Sequence, residues 1–185
     1  YSAIIDDFER GNIDILIGTQ MVTKGLDFDN VALVGVLDAD AMLKFPDFRA
    51  LERAYQLMSQ VAGRSGRKGE RGKVVIQTYD ENHEILQQIK NHQYKLMSQQ
   101  QLEERRLFKY PPYCRLILIN MQHKYQNKLD ILSKKFANSL KNSFGSRVLG
   151  PVDPGIIRIR NYYHKNIMLK IESDSSIKKA KEILS

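Results

Sequence analysis

The sequence predicts an α/β protein in two parts, a parallel-sheet region followed by a small basic α+β region. Three observations carry that prediction. Apolar runs at Ile13–Gly18, Val31–Leu37 and Lys73–Thr78 have the length and continuity of buried strands, and a helical pattern lies between the last two. Pro111-Pro112 then interrupts the chain, and beyond it apolar residues recur in shorter, alternating stretches. Charge divides in the same sense: residues 1–80 carry 10 Lys/Arg against 12 Asp/Glu, and residues 81–185 carry 19 against 9, so the net charge of +8 arises wholly in the later part. A lobe that basic fits a polyanionic partner, because cations set against phosphates release counterions. A lysine-rich solvated surface is the plainer alternative.

In chain order, Ser2 to Arg10 reads as the middle of a helix and the first residue is Tyr1, so the chain is expected to be a piece of a longer protein. Ala50–Val61 forms a helix, with Leu51, Ala54, Leu57, Met58 and Val61 at helical spacing. Strands linked by helices imply a parallel sheet, which places ligands at the carboxyl ends of its strands. Glu84–Asn91 and Gln93–Phe108 read as helices, with Gln99-Gln100-Gln101 a polar turn of the second. Proline lacks a donor and forces its predecessor to be extended, so Pro111-Pro112 ends that helix. Tyr110 and Tyr113 beside the prolines read as packing anchors, with a base-stacking platform the alternative. Beyond them come a strand at Arg115–His123, an amphipathic helix at Asn127–Phe144, paired strands at Ile156–Ile159 and Ile167–Glu172, and a helix at Ile177–Leu184. That order is an open-faced α/β sandwich lacking its last strand. The expected boundaries are residues 1–92, a helical connector at 93–112, and a basic domain at 113–185.

Composition narrows the functional classes. At 185 residues, 42% hydrophobic and 27% charged, the chain has a globular balance. No apolar run approaches a membrane span. The single Cys114 allows no internal disulfide and fits a reducing, cytoplasmic setting, where it reads as a small core residue. The histidines (His83, His92, His123, His164) lack metal-ligand spacing, so no metal site is expected. There is no G-x-x-x-x-G-K-[ST] phosphate loop. Val31–Leu37 followed by Asp38 imitates a magnesium-binding strand. Without a phosphate loop it reads as a buried strand with Asp38 and Asp40 at its carboxyl end.

Three stretches carry chemistry. Gln60-Val61-Ala62-Gly63-Arg64-Ser65-Gly66-Arg67 sets two arginines one helical turn apart, each after a glycine. Glycine lets the backbone approach a ligand closely, and two forked cations match a polyphosphate. A basic surface turn is the alternative. Gly18-Thr19-Gln20 at a strand's end offers N–H and hydroxyl groups to a phosphate, and Lys24-Gly25-Leu26-Asp27 follows. Arg158 to Lys165 interleaves cations with Tyr162 and Tyr163, giving phosphate contacts and stacking faces. It also reads as a hairpin turning at Asn161, and its cations equally suit an acidic peptide.

The pairing of Gly18-Thr19-Gln20…Lys24-Gly25 with Gln60…Arg67 resembles motifs V and VI of superfamily 2 helicases. Further landmarks follow in order: Leu37-Asp38-Ala39-Asp40, Asp47-Phe48-Arg49 with Glu52-Arg53, Glu104-Arg105-Arg106 before Pro111-Pro112-Tyr113, and Leu149-Gly150-Pro151-Val152. The whole series resembles the PriA family of primosomal replication-restart helicases (primosomal protein N-prime). The resemblance implies a partial second RecA-like helicase domain followed by the basic domain. It implies an ATP-dependent 3′-to-5′ DNA helicase that recognises stalled or branched forks and restarts replication by primosome assembly. ATP and magnesium would be shared with an upstream domain. Arg67 would be the arginine finger, Arg64 its partner, and Gln60 would sit near the γ-phosphate or attacking water. Gly25 and Asp27 would lie at the nucleotide, Asp27 towards the ribose. Thr19, Gln20 and Arg49 would face DNA on the helicase side, and Arg158, Arg160, Tyr162 and Lys165 on the basic side. Implied partners are forked and single-stranded DNA, the acidic tail of single-stranded DNA-binding protein, and primosome proteins. The implied setting is the bacterial cytoplasm, at the nucleoid. The family's phosphate loop, D-E-x-H box and zinc-binding cysteines lie upstream, so zinc is expected in the full-length protein and not here. This chain alone is expected to hydrolyse no ATP. The family's last domain resembles a small-subunit ribosomal protein and closes with one more strand, whereas this chain stops at Ser185. The competing readings are a non-catalytic nucleic-acid-binding module and a replisome interaction adaptor.

Overall fold

The computed structural model describes residues 2–19, 31–62 and 73–184, and of Lys179 and Leu184 the backbone alone. The chain divides into two compact units, Tyr1–Gln101 and Leu102–Ser185.

In the first unit, helix α1 (Ser2–Glu9) precedes strand β1 (Leu33–Val36), helices α2 (Ala39–Leu43) and α3 (Ala50–Ala62), strand β2 (Lys73–Ile76) and helix α4 (Glu84–Lys90), and α5 (Tyr94–Leu107) begins in it. Strands β1 and β2 pair in parallel from Leu33↔Lys73 to Val36↔Ile76, as strands separated by a helix must. The core gathers Ala39 and Leu43 of α2, Ala54, Tyr55 and Met58 of α3, Ile85, Leu86 and Ile89 of α4, and Met97 of α5. A polar clamp joins α4 to α5. Gln88 donates to Glu84 and to Gln100, and Gln100 donates to the same Glu84 carboxylate.

Two expectations fail in this unit. Ile13–Gly18 is not a strand, and Ile15 and Ile17 are 76% and 85% exposed. A strand needs a neighbour for its backbone donors and acceptors, and among the described residues β1 and β2 pair only with each other. β1 and β2 are also shorter than their apolar runs, with Leu33 and Val75 more than half exposed rather than buried. Helix α2 was not legible in the pattern. Asp38 caps it, accepting from the Ala41 N–H at 3.2 Å from a left-handed backbone at φ 51°.

The second unit contains β3 (Cys114–His123), α6 (Gln126–Phe144), a 3₁₀ turn (Gly145–Arg147), β4 (Val148–Val152), β5 (Arg158–Ile159), β6 (Tyr162–Glu172) and α7 (Ile177–Leu184). The sheet runs β3-β6-β4 with β5 also paired to β6, and every pair is antiparallel. One face packs on the helices: Ile167, Leu169 and Ile171 of β6 meet Ala137, Leu140 and Phe144 of α6 and Ala180 of α7. The expected open-faced sandwich is therefore present.

Strand β4 was hidden because Gly150-Pro151 reads as a turn. It enters as an irregular strand with a register shift between Leu149 and Val152. Gly150 sits at φ 100°, and a Cβ there would lie 2.8 Å from the Asn166 carbonyl oxygen, so only glycine fits.

Candidate nucleic-acid interface

Strands β5 and β6 form a tight hairpin, with Arg158↔Tyr163 and Ile159↔Tyr162 in register. Its two connecting residues, Arg160 and Asn161, have φ of 46° and 67°. Positive φ at both central positions marks a type I′ turn, whose twist matches antiparallel strands. Asn161 is suited to that conformation and Arg160 is not, so the turn holds an arginine at its tip against backbone preference. β6 begins at Tyr162, five residues earlier than the apolar pattern implied.

Around the tip, cations lie over rings. The Arg158 guanidinium is 5.3 Å from the Tyr163 ring centroid and donates to Asn161 Oδ1 at 3.0 Å. The Lys124 ammonium is 5.9 Å from the Tyr162 ring, and Lys128 is 5.4 Å from Tyr125. The His123 and Tyr125 rings are 5.7 Å apart, with the Tyr125 N–H donating to His123 Nδ1 at 2.9 Å. Register explains the gathering, because His123 at the end of β3 faces Tyr163 on β6. Helix α6 opens beside it, and its cap residue Tyr125 makes no side-chain capping bond. Unpaired N–H groups and a helix dipole add positive potential there. Lys124, Tyr125 and Lys128 were not singled out in the sequence. Their signal is a second cation–aromatic interleaving, His123-Lys124-Tyr125, which only strand pairing brings to the first.

Lys165 stands apart from the others. Its ammonium bridges Asp153 at 2.8 Å and Asp130 at 3.1 Å, with its side chain only 15% exposed. The Asp153 hydrogen bond, reinforced by Asp130 and opposed by burial, holds its pKa above the ordinary lysine value. At the other end of the sheet, Glu172 is held below the usual carboxylate range by its own backbone N–H and by Arg147. Cys114 is buried, donates to the Lys109 carbonyl at 2.8 Å, and has its pKa raised by burial.

Of the residues expected at the helicase face, Gln20, Gly25, Asp27, Arg64 and Arg67 lie outside the described residues. Thr19 is exposed at the end of the apolar run, and Gln60 lies on the exposed side of α3. Arg49 is exposed with its guanidinium 5.1 Å from the Phe48 ring centroid. At the carboxyl end of β1 both acids have structural partners. Asp38 caps α2. Asp40 is buried, accepts from the Tyr79 N–H at 2.9 Å and has Lys44 at 3.6 Å. That backbone bond, with help from Thr78 and Lys44 and against burial, lowers the Asp40 pKa. Among the described residues no cluster of His, Cys, Asp or Glu is placed to hold a metal ion, and no helix is long and apolar enough to cross a membrane.

Residues 2–69 match the family profile of the helicase conserved C-terminal domain, and residues 106–185 that of the primosomal protein N C-terminal domain. The chain is 40% identical over 179 residues to the replication restart protein PriA of Bacillus subtilis, a match covering 96% of the chain and 22% of that protein. It is 39% identical over 175 residues to the protein of the same name from Synechocystis (94% and 21%). It is 34% identical over 169 residues to that of Thermotoga maritima (91% and 22%). The chain thus spans about a fifth of the length of these relatives. Two profiles in this order, and relatives of one name along nearly the whole sequence, show that the chain belongs to the PriA family.

Proposed function

We propose that this chain is the later part of an ATP-dependent 3′-to-5′ DNA helicase acting in replication restart at forked DNA, and that its second unit grips DNA through the β5–β6 hairpin. The relationship to replication restart proteins supports the first half of this reading. The observation that carries the second is the cluster of Arg158, Arg160, Lys124, Tyr162 and Tyr163 at one tip of the sheet. Cations held over rings present phosphate contacts beside stacking faces, the combination single strands and fork junctions require.

In this reading residues 1–92 belong to a RecA-like domain, 93–112 connect, and 113–185 form the DNA- and partner-binding domain. ATP and magnesium sit between this RecA-like domain and another. Two guanidiniums, Arg64 and Arg67, counter charge on the transferring phosphoryl group. Gln60 orients the water, while Gly25 and Asp27 border the nucleotide. Thr19, Gln20 and Arg49 follow the DNA strand. Zinc is held by residues outside this chain. Primosome proteins and the acidic tail of single-stranded DNA-binding protein are its protein partners, and the bacterial nucleoid its place of work.

Lys165 is reassigned within the proposal: it braces the hairpin's base instead of touching phosphate. The experiment is a salt titration of forked-DNA binding by fluorescence anisotropy. Replacing Arg158 and Arg160 by alanine lowers affinity and flattens the slope of log affinity against log salt by about 0.7–0.9 for each phosphate left without its cation. Tyr162→Ala weakens binding with the slope nearly unchanged, since stacking releases no counterions. If the double variant keeps both affinity and slope, the hairpin is not the DNA surface.

A further inference from the structure

The sheet face of the second unit turned away from α6 has a composition that DNA binding does not explain. Register sets Leu118 of β3, Met168 of β6 and Leu149 of β4 in one row. Leu118 is 59% and Leu149 44% exposed. The next row is Asn120, Asn166 and Val152, the last 57% exposed. Asn120 donates to Asn166 Oδ1 at 2.8 Å, and His164 Nδ1 lies 3.3 Å from Asn120 Oδ1. One amide–amide hydrogen bond and the His164 contact thus occupy part of the polar capacity of this row, which lowers the cost of covering it. The middle of the face is therefore aliphatic and ready to lose water.

Both ends are basic. At one end, where the sheet meets the close of α6, Lys109, Arg147 and Lys170 line a cavity of about 270 Å³ together with Phe144, Ser146 and Glu172, the last held by Arg147 at 2.8 Å. Lys170 is fixed there, donating to the Phe108 carbonyl at 2.7 Å with its ammonium 3.8 Å from the Tyr110 ring centroid. At the other end stand Lys124, over Tyr162, and the hairpin tip with Arg160. Eight residues along β6 separate Lys170 from Tyr162, about 26 Å at the rise of a strand. An α-helix of roughly 17 residues spans that distance.

We propose that this face docks an amphipathic helix of another protein, apolar along one stripe and acidic at both ends. Charge complementarity selects the occupant. A second copy of this chain is disfavoured, because residues 81–185 carry 19 Lys/Arg against 9 Asp/Glu and would repel their like. Nucleic acid is disfavoured in the middle of the face, where Leu118, Leu149, Met168 and Val152 offer no ring for a base to stack on.

The test uses the 185-residue chain and an 18-residue labelled peptide with a leucine stripe and three glutamates at each end. Controls are the same peptide with lysine ends, a peptide with the stripe scrambled, and an oligo-dT strand. Methyl NMR of leucine and methionine in the unaltered chain is expected to show Leu118, Leu149 and Met168 shifting with the acid-ended peptide. Leu118→Ser with Leu149→Ser is expected to weaken that peptide at least about tenfold, the scale of two exposed leucines losing their burial. The DNA salt slope should stay unchanged, which separates this proposal from the hairpin's role. Lysine ends or a scrambled stripe are each expected to cost about tenfold. Four results overturn the proposal: no acid-ended binding at millimolar peptide, equal binding by either control peptide, indifference to the leucine changes, or oligo-dT shifting these methyls.

Discussion

Lys165 belongs to a run of cations and aromatics, yet its neighbours have turned it inward to two carboxylates. Its partners are partly exposed, so the bridge ranks between a surface pair and a buried one. Lys165→Met should cost about 1–2 kcal/mol of stability. It should leave the salt dependence of DNA binding unchanged. Because its pKa is raised on folding, the contribution is complete below the ordinary value of 10.5 and fades as pH climbs through the folded value. Thermal melts of both proteins from neutral pH to 11.5 or so should show the gap closing only in the alkaline limb. Asp40 has the opposite sign: its lowered pKa stabilises above the ordinary value of 3.8 and loses that contribution as acid protonates it. Asp40→Asn should therefore melt earlier than the parent at neutral pH, and the two should converge in strong acid. Neither partner set was legible in sequence. Asp130 and Asp153 lie far along the chain from Lys165, and only the packing of α6 and β4 against β6 brings them to it.

At the scale of the element, the type I′ turn gives the clearest handle. Arg160 sits at positive φ where asparagine or glycine is at ease. Replacing Arg160-Asn161 by Asn-Gly should stabilise the second unit by about 1 kcal/mol while weakening fork binding. Denaturant melts beside anisotropy would check this, and a variant both more stable and equally tight would remove Arg160 from the DNA surface. Gly150→Ala should cost about 2–3 kcal/mol, since its Cβ meets a backbone carbonyl that cannot swing aside. Helices were the most legible elements, because α3, α4, α6 and α7 each repeat their apolar residues at helical spacing, and each formed within a residue or two of its expected span. Strands were less so. Ile13–Gly18 has a strand's composition without a paired neighbour among the described residues, and β4 is a strand despite a glycine and a proline.

For the whole molecule, the expectation is division of labour. The isolated chain should show no ATP hydrolysis above background, with or without DNA, because no phosphate loop is present in its sequence. In the full-length protein, Arg67→Ala should reduce DNA-stimulated turnover by about a thousandfold or more while nucleotide binding survives better. Steady-state ATPase assays of both, alongside nucleotide binding, would decide, and Arg67-dependent hydrolysis by the chain alone would contradict the domain reading. The order of motifs made the family legible before any fold was known, since motif order does not depend on packing. The surface proposed for DNA was legible only in part. Arg158 to Tyr163 announce themselves by composition, but Lys124 and Lys128 join them through the register of β3 on β6.

The irregularity at Gly150 also governs how this domain tolerates changes in chain length. Leu149 and Val152 are three positions apart, yet they oppose Met168 and Asn166, which are two apart. Gly150 and Pro151 thus stand where even alternation takes one residue, and a further residue inserted there would have to be taken up where Gly150 already lies hard against the Asn166 carbonyl. Gly155, a few residues on, has open space around it, and an insertion there has room to bow outward. The same single-residue edit should thus be ruinous at one glycine and nearly silent at the other. Length variation along this connection is expected to accumulate after Asp153 and to be absent before it.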